Sequence, residues 1–184
     1  YEKYPDFVVP AHRLTEIRNF VASGLQDFSV SRLKSKMPWG VPVPGDESQI
    51  MYVWFDALVN YVSTLGWPEN EKNFGDFWGT KEKPNALQIA GKDNLRQQSA
   101  MWQAMLLSAG LPPSRRIIIH SFITSDGQKM SKSLGKVVNP YEIVEKYGTD
   151  ALRFFLAHDI SPFEDSDFSR EKFKESYNAN LANG

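Results

Sequence analysis

Apolar positions along this chain switch between helical and strand periods. Leu14, Ile17 and Val21 share one face of a 3.6-residue repeat, which predicts a short helix over 12–23 that Gly24 ends. Residues 27–44, rich in Pro and Gly, read as irregular. The run 49–55, with Ile50, Tyr52, Val53 and Trp54, reads as a strand. Leu58, Tyr61, Val62 and Leu65 follow at i, i+3, i+4 and i+7 and predict a helix closed by Gly66. Residues 67–85 read as a loop-rich connection. A buried strand is predicted at 86–90, with Gly91-Lys92 as a turn and Asp93 as the cap of a helix reaching Ala109. The stripe of that helix is Leu95, Met101, Trp102, Met105 and Leu106. Pro112-Pro113 breaks the chain before a strand at 116–123. Strand, helix and strand joined by short turns form a βαβ unit, so the two strands are expected as parallel neighbours with ligands at their carboxyl ends. Asn139-Pro140-Tyr141-Glu142 reads as a helix start with Asn capping, Pro first and Glu reaching back. Thr149 opens a further helix through Leu152, Phe155 and Leu156.

Composition narrows the class. The 184 residues are 41% hydrophobic, enough to bury a core of one domain or one domain and a piece of another. A net charge of −1 advertises no global attraction to nucleic acid, so any such contact must use local patches. Cysteine is absent, which excludes disulfides and Cys-ligated zinc within these residues. His12, His120 and His158 lack metal spacing, and no apolar run is long enough for a membrane-spanning helix.

The chemistry concentrates at Lys129-Met130-Ser131-Lys132-Ser133, between Gly127 and Gly135. Two ammonium groups three residues apart, among small hydroxyl residues and after an apolar run, make a cationic loop suited to closing over a polyphosphate. Gly91-Lys92-Asp93 sits at a strand-to-helix turn, where Gly admits a ligand to the backbone and the carboxylate can cap the helix, accept from ribose hydroxyls, or both. Arg32, alone, is an ordinary surface cation, and Trp54 and Trp102 are ordinary core aromatics.

The lysine block resembles the second signature of class I aminoacyl-tRNA synthetases, and its surroundings are similar to the methionyl-tRNA synthetases. The resemblance is strongest at 24–32, 50–61, 87–102 and 116–156. It implies an α/β fold: the second half of a Rossmann-type (HUP-like) parallel-sheet nucleotide-binding domain, followed by a small α/β stem-contact segment. Residues 1–30 would be the return from a connective insertion and 31–125 the second half of the catalytic domain. Residues 126–170 would carry the lysine loop and stem contact, and 171–184 would begin a helical anticodon-binding domain. Lys129, Lys132 and Arg32 then match catalytic cations. Gly91, Asp93, His120, Ile123, Met130 and Lys132 match ATP-binding positions. Trp54, Ala57, Tyr61, Gln98 and Trp102 match a methionine pocket, whose aromatic walls suit a polarisable thioether. Best-known members carry His at position 98, an apolar residue at 94 and Gly at 121; here these are Gln98, Asn94 and Ser121.

The activity so implied is methionine–tRNA ligation in the cytoplasm. Its substrates are ATP with Mg2+, L-methionine and tRNA(Met), with no membrane partner and no protein metal ligands in these residues. The first class I signature, an H-x-G-H tetrad, is missing here. The chain is therefore expected to be a fragment that relies on the rest of the synthetase polypeptide and is inactive alone. The alternatives are a class I ligase for valine, isoleucine, leucine or cysteine, and a non-catalytic nucleotide- or tRNA-binding module. The Trp-Phe-Asp-Ala element and the absence of cysteine speak against the other ligases.

Overall fold

A computed structural model describes residues 1–125, 127–130 and 138–183. The chain divides into two compact units, Tyr1–Ile118 and Ile119–Gly184. In the first unit, β1 (Val8–Val9) leads into α1 (Ala11–Ala22), which buries Leu14 and Ile17 as the 3.6-residue repeat demands. A small antiparallel sheet follows, with β4 (Asp46–Met51) between β2 (Ser31–Leu33) and β3 (Pro42–Val43). Only its short strands β2 and β3 fall within 27–44, the stretch expected to be irregular, and the remainder of that stretch has no regular structure.

The strand expected over 49–55 ends at Met51. Val53, Trp54 and Phe55 belong instead to the first turn of α2 (Val53–Ser63), whose buried face is Leu58 and Val62. β-branched and aromatic residues favour strands only weakly, and the 3.6-residue period of Trp54, Leu58, Tyr61 and Val62 prevails. The connection 67–85 holds a helix that the sequence reading omits, α3 (Glu71–Trp78). Asn70 Oδ1 caps it by accepting from Asn73 N at 3.0 Å, and Phe74 and Trp78 lie one turn apart on its buried face. Trp78 Nε1 donates to the Pro112 carbonyl at 2.9 Å. These two rings join Leu58, Val62, Trp102 and Leu106 in the first core, with Trp78 meeting Trp102 edge-on at 6.0 Å.

The expected βαβ unit is present. In a three-stranded parallel sheet, β6 (Arg116–His120) lies between β1 and β5 (Leu87–Gly91), with Val8 opposite Ile117 and Val9 opposite Ile118. The helix between β5 and β6 is composite: a 3₁₀ turn at Lys92–Asn94, a π-helical turn at Gln97–Met101, then α4 (Trp102–Ser108). Gly91 holds the capping position and Asp93 lies inside the turn, which corrects the expected Asp93 cap.

The strand expected over 116–123 is two strands in different sheets. It breaks at Ser121-Phe122, where Ser121 N donates to Pro162 O at 2.9 Å. Beyond the break, β7 (Ile123–Ser125) pairs antiparallel with β8 (Gln128–Lys129) and parallel with β9 (Ser166–Asp167). Helices α5 (Pro140–Tyr147), α6 (Thr149–His158) and α7 (Arg170–Tyr177) complete the second unit around Ile143, Ala151, Phe155, Phe168 and Phe173. Asn139 caps α5 as expected, accepting from Tyr141 N at 3.1 Å. The Glu142 carboxylate is bonded to the Arg170 guanidinium.

Candidate active site

In the first unit the helical register of α2 decides what its aromatic residues can do. Trp54, Ala57 and Tyr61 are spaced three and four residues apart, so they stand on one side of the helix over two turns. Trp54 is half-buried against the first core, Ala57 is exposed, and Tyr61 is 37% exposed. The π-helical turn shifts the helical phase by one residue before α4, and such turns recur at functional sites. Gln98 sits in it and is buried; its Nε2 donates to Tyr61 Oη at 3.0 Å. Trp102, the first residue of α4, brings its ring within 6.0 Å of the Tyr61 ring. Tyr61, Gln98 and Trp102 thus meet, although Tyr61 is remote from the other two in sequence. The Trp102 Nε1 donor is buried with no hydrogen-bond partner among the described residues.

A cleft of about 1030 Å³ is lined in part by Arg32, Tyr52, Phe55, Arg96, Gln97 and Trp102. Arg32 is carried by β2 opposite Ile50, and its guanidinium lies 4.1 Å from the centre of the Tyr52 ring. Its Nη1 donates to the carbonyls of Ser29 (2.9 Å) and Ser31 (2.8 Å), which fold the cation back onto its own loop. Arg96 similarly covers the Phe20 ring at 4.4 Å. Gly91 ends β5 half-buried, and exposed Asp93 follows with Asn94 Nδ2 3.5 Å from its Oδ1.

In the second unit, His120 is exposed at the end of β6. Its Nδ1 lies 2.8 Å from the Ser121 carbonyl oxygen, which can only accept, so Nδ1 carries the proton. Ile123 opens β7 opposite Ser166 and is 37% exposed. Met130 is half-buried against the second core. Lys129 has its backbone in β8, paired with Thr124; its side chain and the whole of Lys132 lie outside the described residues.

Sequence reasoning missed the groups that hold these elements. Asp167 Oδ1 accepts from Gly127 N at 2.8 Å and from Thr124 Oγ1 at 2.9 Å, tying β9 to the hairpin that enters the lysine block. The Gly127 amide, then the Thr124 hydroxyl, hold the Asp167 carboxyl below its ordinary pKa, with Lys172 adding to the effect. Asp165 Oδ1 accepts from Phe122 N at 3.0 Å at the break between β6 and β7. In sequence these carboxylates look like a solvated acidic run, and only strand pairing across some forty residues gives them partners. Gln88, Gln103 and Ser114 are the other omission; they are buried beside Gln98.

Residues 3–184 match the model of the family described as tRNA synthetases class I (M). The chain is 48% identical over 183 residues to a methionine–tRNA ligase of Nostoc and 45% identical to one of Brucella suis. Each alignment covers 100% of this chain and 34% of the relative, so the chain spans about a third of the length of the curated relatives it matches. It is similar in structure to a Mycobacterium tuberculosis methionyl-tRNA synthetase in complex with methionyl-adenylate. That match has a TM-score of 0.89 at 39% identity and covers 100% of this chain and 35% of the other. The free-state structure of the M. tuberculosis enzyme matches with a TM-score of 0.83 at 36% identity, covering 100% and 34%. With residues 3–184 matched by that family model, the chain belongs to the class I (M) family of tRNA synthetases.

Proposed function

We propose that this chain supplies the methionine pocket and the lysine loop of an ATP-dependent methionine–tRNA ligase. The observation that carries the reading is the meeting of Tyr61, Gln98 and Trp102. Two aromatic rings and one buried amide make a wall for an unbranched, polarisable side chain, with one polar contact for sulfur. Trp54 and Ala57, on the same side of α2, extend that wall.

In the reaction, a methionine carboxylate oxygen attacks the α-phosphorus of ATP. The bond from that phosphorus to the bridging oxygen breaks, and pyrophosphate leaves with the electron pair. Charge grows on phosphoryl oxygens, and Lys129, Lys132 and Arg32 serve to offset it. By the same family resemblance, Gly91 and Asp93 match ribose-binding positions, and His120, Ile123 and Met130 match nucleotide-binding positions. A terminal tRNA(Met) hydroxyl then attacks the methionyl carbonyl carbon and releases AMP. Mg2+ enters this chemistry as part of the Mg·ATP substrate, held by the phosphates.

The test is ATP–pyrophosphate exchange by the ligase that contains this chain, run with methionine, valine, isoleucine, leucine and cysteine. Exchange with methionine alone is expected. Exchange with another of the five in its place, or with none, would overturn the reading.

A further inference from the structure

A continuous file of buried polar side chains runs from Ser114, ahead of β6, through Gln103 of α4 and Gln88 of β5 to Gln98 in the π-helical turn, and it ends on the Tyr61 hydroxyl. Gln88, Gln98, Gln103 and Ser114 are all buried, at 4%, 4%, 7% and 2% exposure. Buried amides left without partners are costly, so their orientation follows from which neighbours can donate and which can only accept. The file starts at two backbone groups. Ser114 N–H, a donor only, donates to Gln103 Oε1 at 3.1 Å, and the Gln98 carbonyl, an acceptor only, takes Gln103 Nε2 at 3.1 Å. Gln103 thus has one orientation, with its nitrogen turned toward Gln88 Oε1 at 3.5 Å. The Ser114 hydroxyl also donates to Gln88 Oε1 and itself accepts from Gln103 Nε2 at 3.1 Å. With its oxygen so engaged, Gln88 presents Nε2 to Gln98 Oε1 at 3.2 Å. Gln98 then has only its nitrogen left for Tyr61 Oη, at 3.0 Å. The hydroxyl oxygen accepts, and its proton must point elsewhere.

We propose that Gln88 and Gln103 are positioning residues that, through Gln98, turn the Tyr61 hydroxyl proton toward the thioether sulfur of the amino acid. This rests on the reading of Tyr61 as a methionine-binding residue. Sulfur is a weak acceptor and never a donor, so the pocket needs a donor at that point. A free hydroxyl samples both roles; the amide file removes one of them.

The experiment compares methionine with norleucine, which replaces the sulfur by a methylene, in adenylate formation by the intact ligase. Gln88→Met keeps the volume and removes the donor to Gln98. It is expected to lower the methionine-over-norleucine ratio of kcat/KM by roughly fivefold to tenfold, the effect of one lost hydrogen bond, through the KM for methionine with kcat kept. Gln103→Leu, which cuts the file at another point, should do the same, so either variant alone suffices if the other does not fold. Tyr61→Phe should lower the ratio at least as far, and adding Gln88→Met to it should change the ratio no further. A merely structural role would weaken both amino acids alike and add to Tyr61→Phe; either result overturns the proposal. A wild-type ligase that activates another amino acid in place of methionine overturns the pocket reading itself, a failure visible before any variant is made.

Discussion

Lys132 and Trp54 should respond to truncation in opposite ways. In the intact ligase, Lys132→Ala is expected to slow adenylate formation by about 10²-fold or more while methionine affinity changes little, because its partner oxygens gain charge only as pyrophosphate departs. Trp54→Ala removes an apolar surface that the substrate meets before and during reaction, so methionine affinity should fall by about 2–3 kcal/mol. Steady-state kinetics on both variants checks the pair: a raised methionine KM with turnover intact for Lys132→Ala would reassign the loop. Asp167 gives a pH test. Its carboxyl is held below its ordinary pKa in the fold, by the Gly127 amide first. An aspartate in the unfolded chain ionises near about 3.9, so this contribution to stability is complete above that pH and is lost as pH falls toward the lower folded value. Asp167→Asn should therefore lower the thermal midpoint at pH 7, with the gap to wild type closing below about pH 4. A gap that stays constant across that range would mean the charge of Asp167 is not what holds the hairpin. Lys132 is proposed from its place in a short signature, whereas no local signature marks Asp167, because its partners are set by the pairing of β7 with β9.

At the scale of elements, sequence period was reliable where a buried face repeated over two or more turns. Helix α1 and the α2 face of Leu58 and Val62 appear as the repeat predicts. Helix α3 escaped notice because only Phe74 and Trp78 mark its buried side within a stretch dense in Asn, Lys, Gly and Pro. Its stop depends on Gly79, at φ +95°, where an added Cβ would lie 2.4 Å from Lys83 O and 2.6 Å from Asn85 N. Both contacts are backbone and cannot move aside cheaply, so Gly79→Ala should cost about 1–3 kcal/mol, measurable by denaturant unfolding. Unchanged stability would show that the turn can be rebuilt without that conformation. The single strand read over 116–123 became β6 and β7 because the apolar run continues through a break set by partners, Pro162 O for Ser121 and Asp165 for Phe122. Periodicity does not record a change of sheet.

On the scale of the molecule, the 184 residues carry the lysine block but no H-x-G-H tetrad. This stretch expressed by itself is therefore expected to form no methionyl-adenylate. Absent donors on one side of the phosphates are worth about 10²–10³ in rate each. Methionine-dependent pyrophosphate exchange by the isolated stretch, clearly above a protein-free blank, would refute this. The sequence by itself determined the family, through the lysine block, the Tyr-Val-Trp-Phe-Asp-Ala element and the Gly-Lys-Asp turn, and it determined the βαβ unit. These are local strings or local periods, and their chemistry is carried by neighbours in the chain. Tertiary structure alone decided that Asp167 anchors the hairpin and that a file of buried glutamines ends on Tyr61. Each of these joins side chains from separate elements, and a hydrogen bond requires its donor and acceptor to arrive within about 3 Å in the right orientation. Only the packing of strands and helices against one another sets that distance.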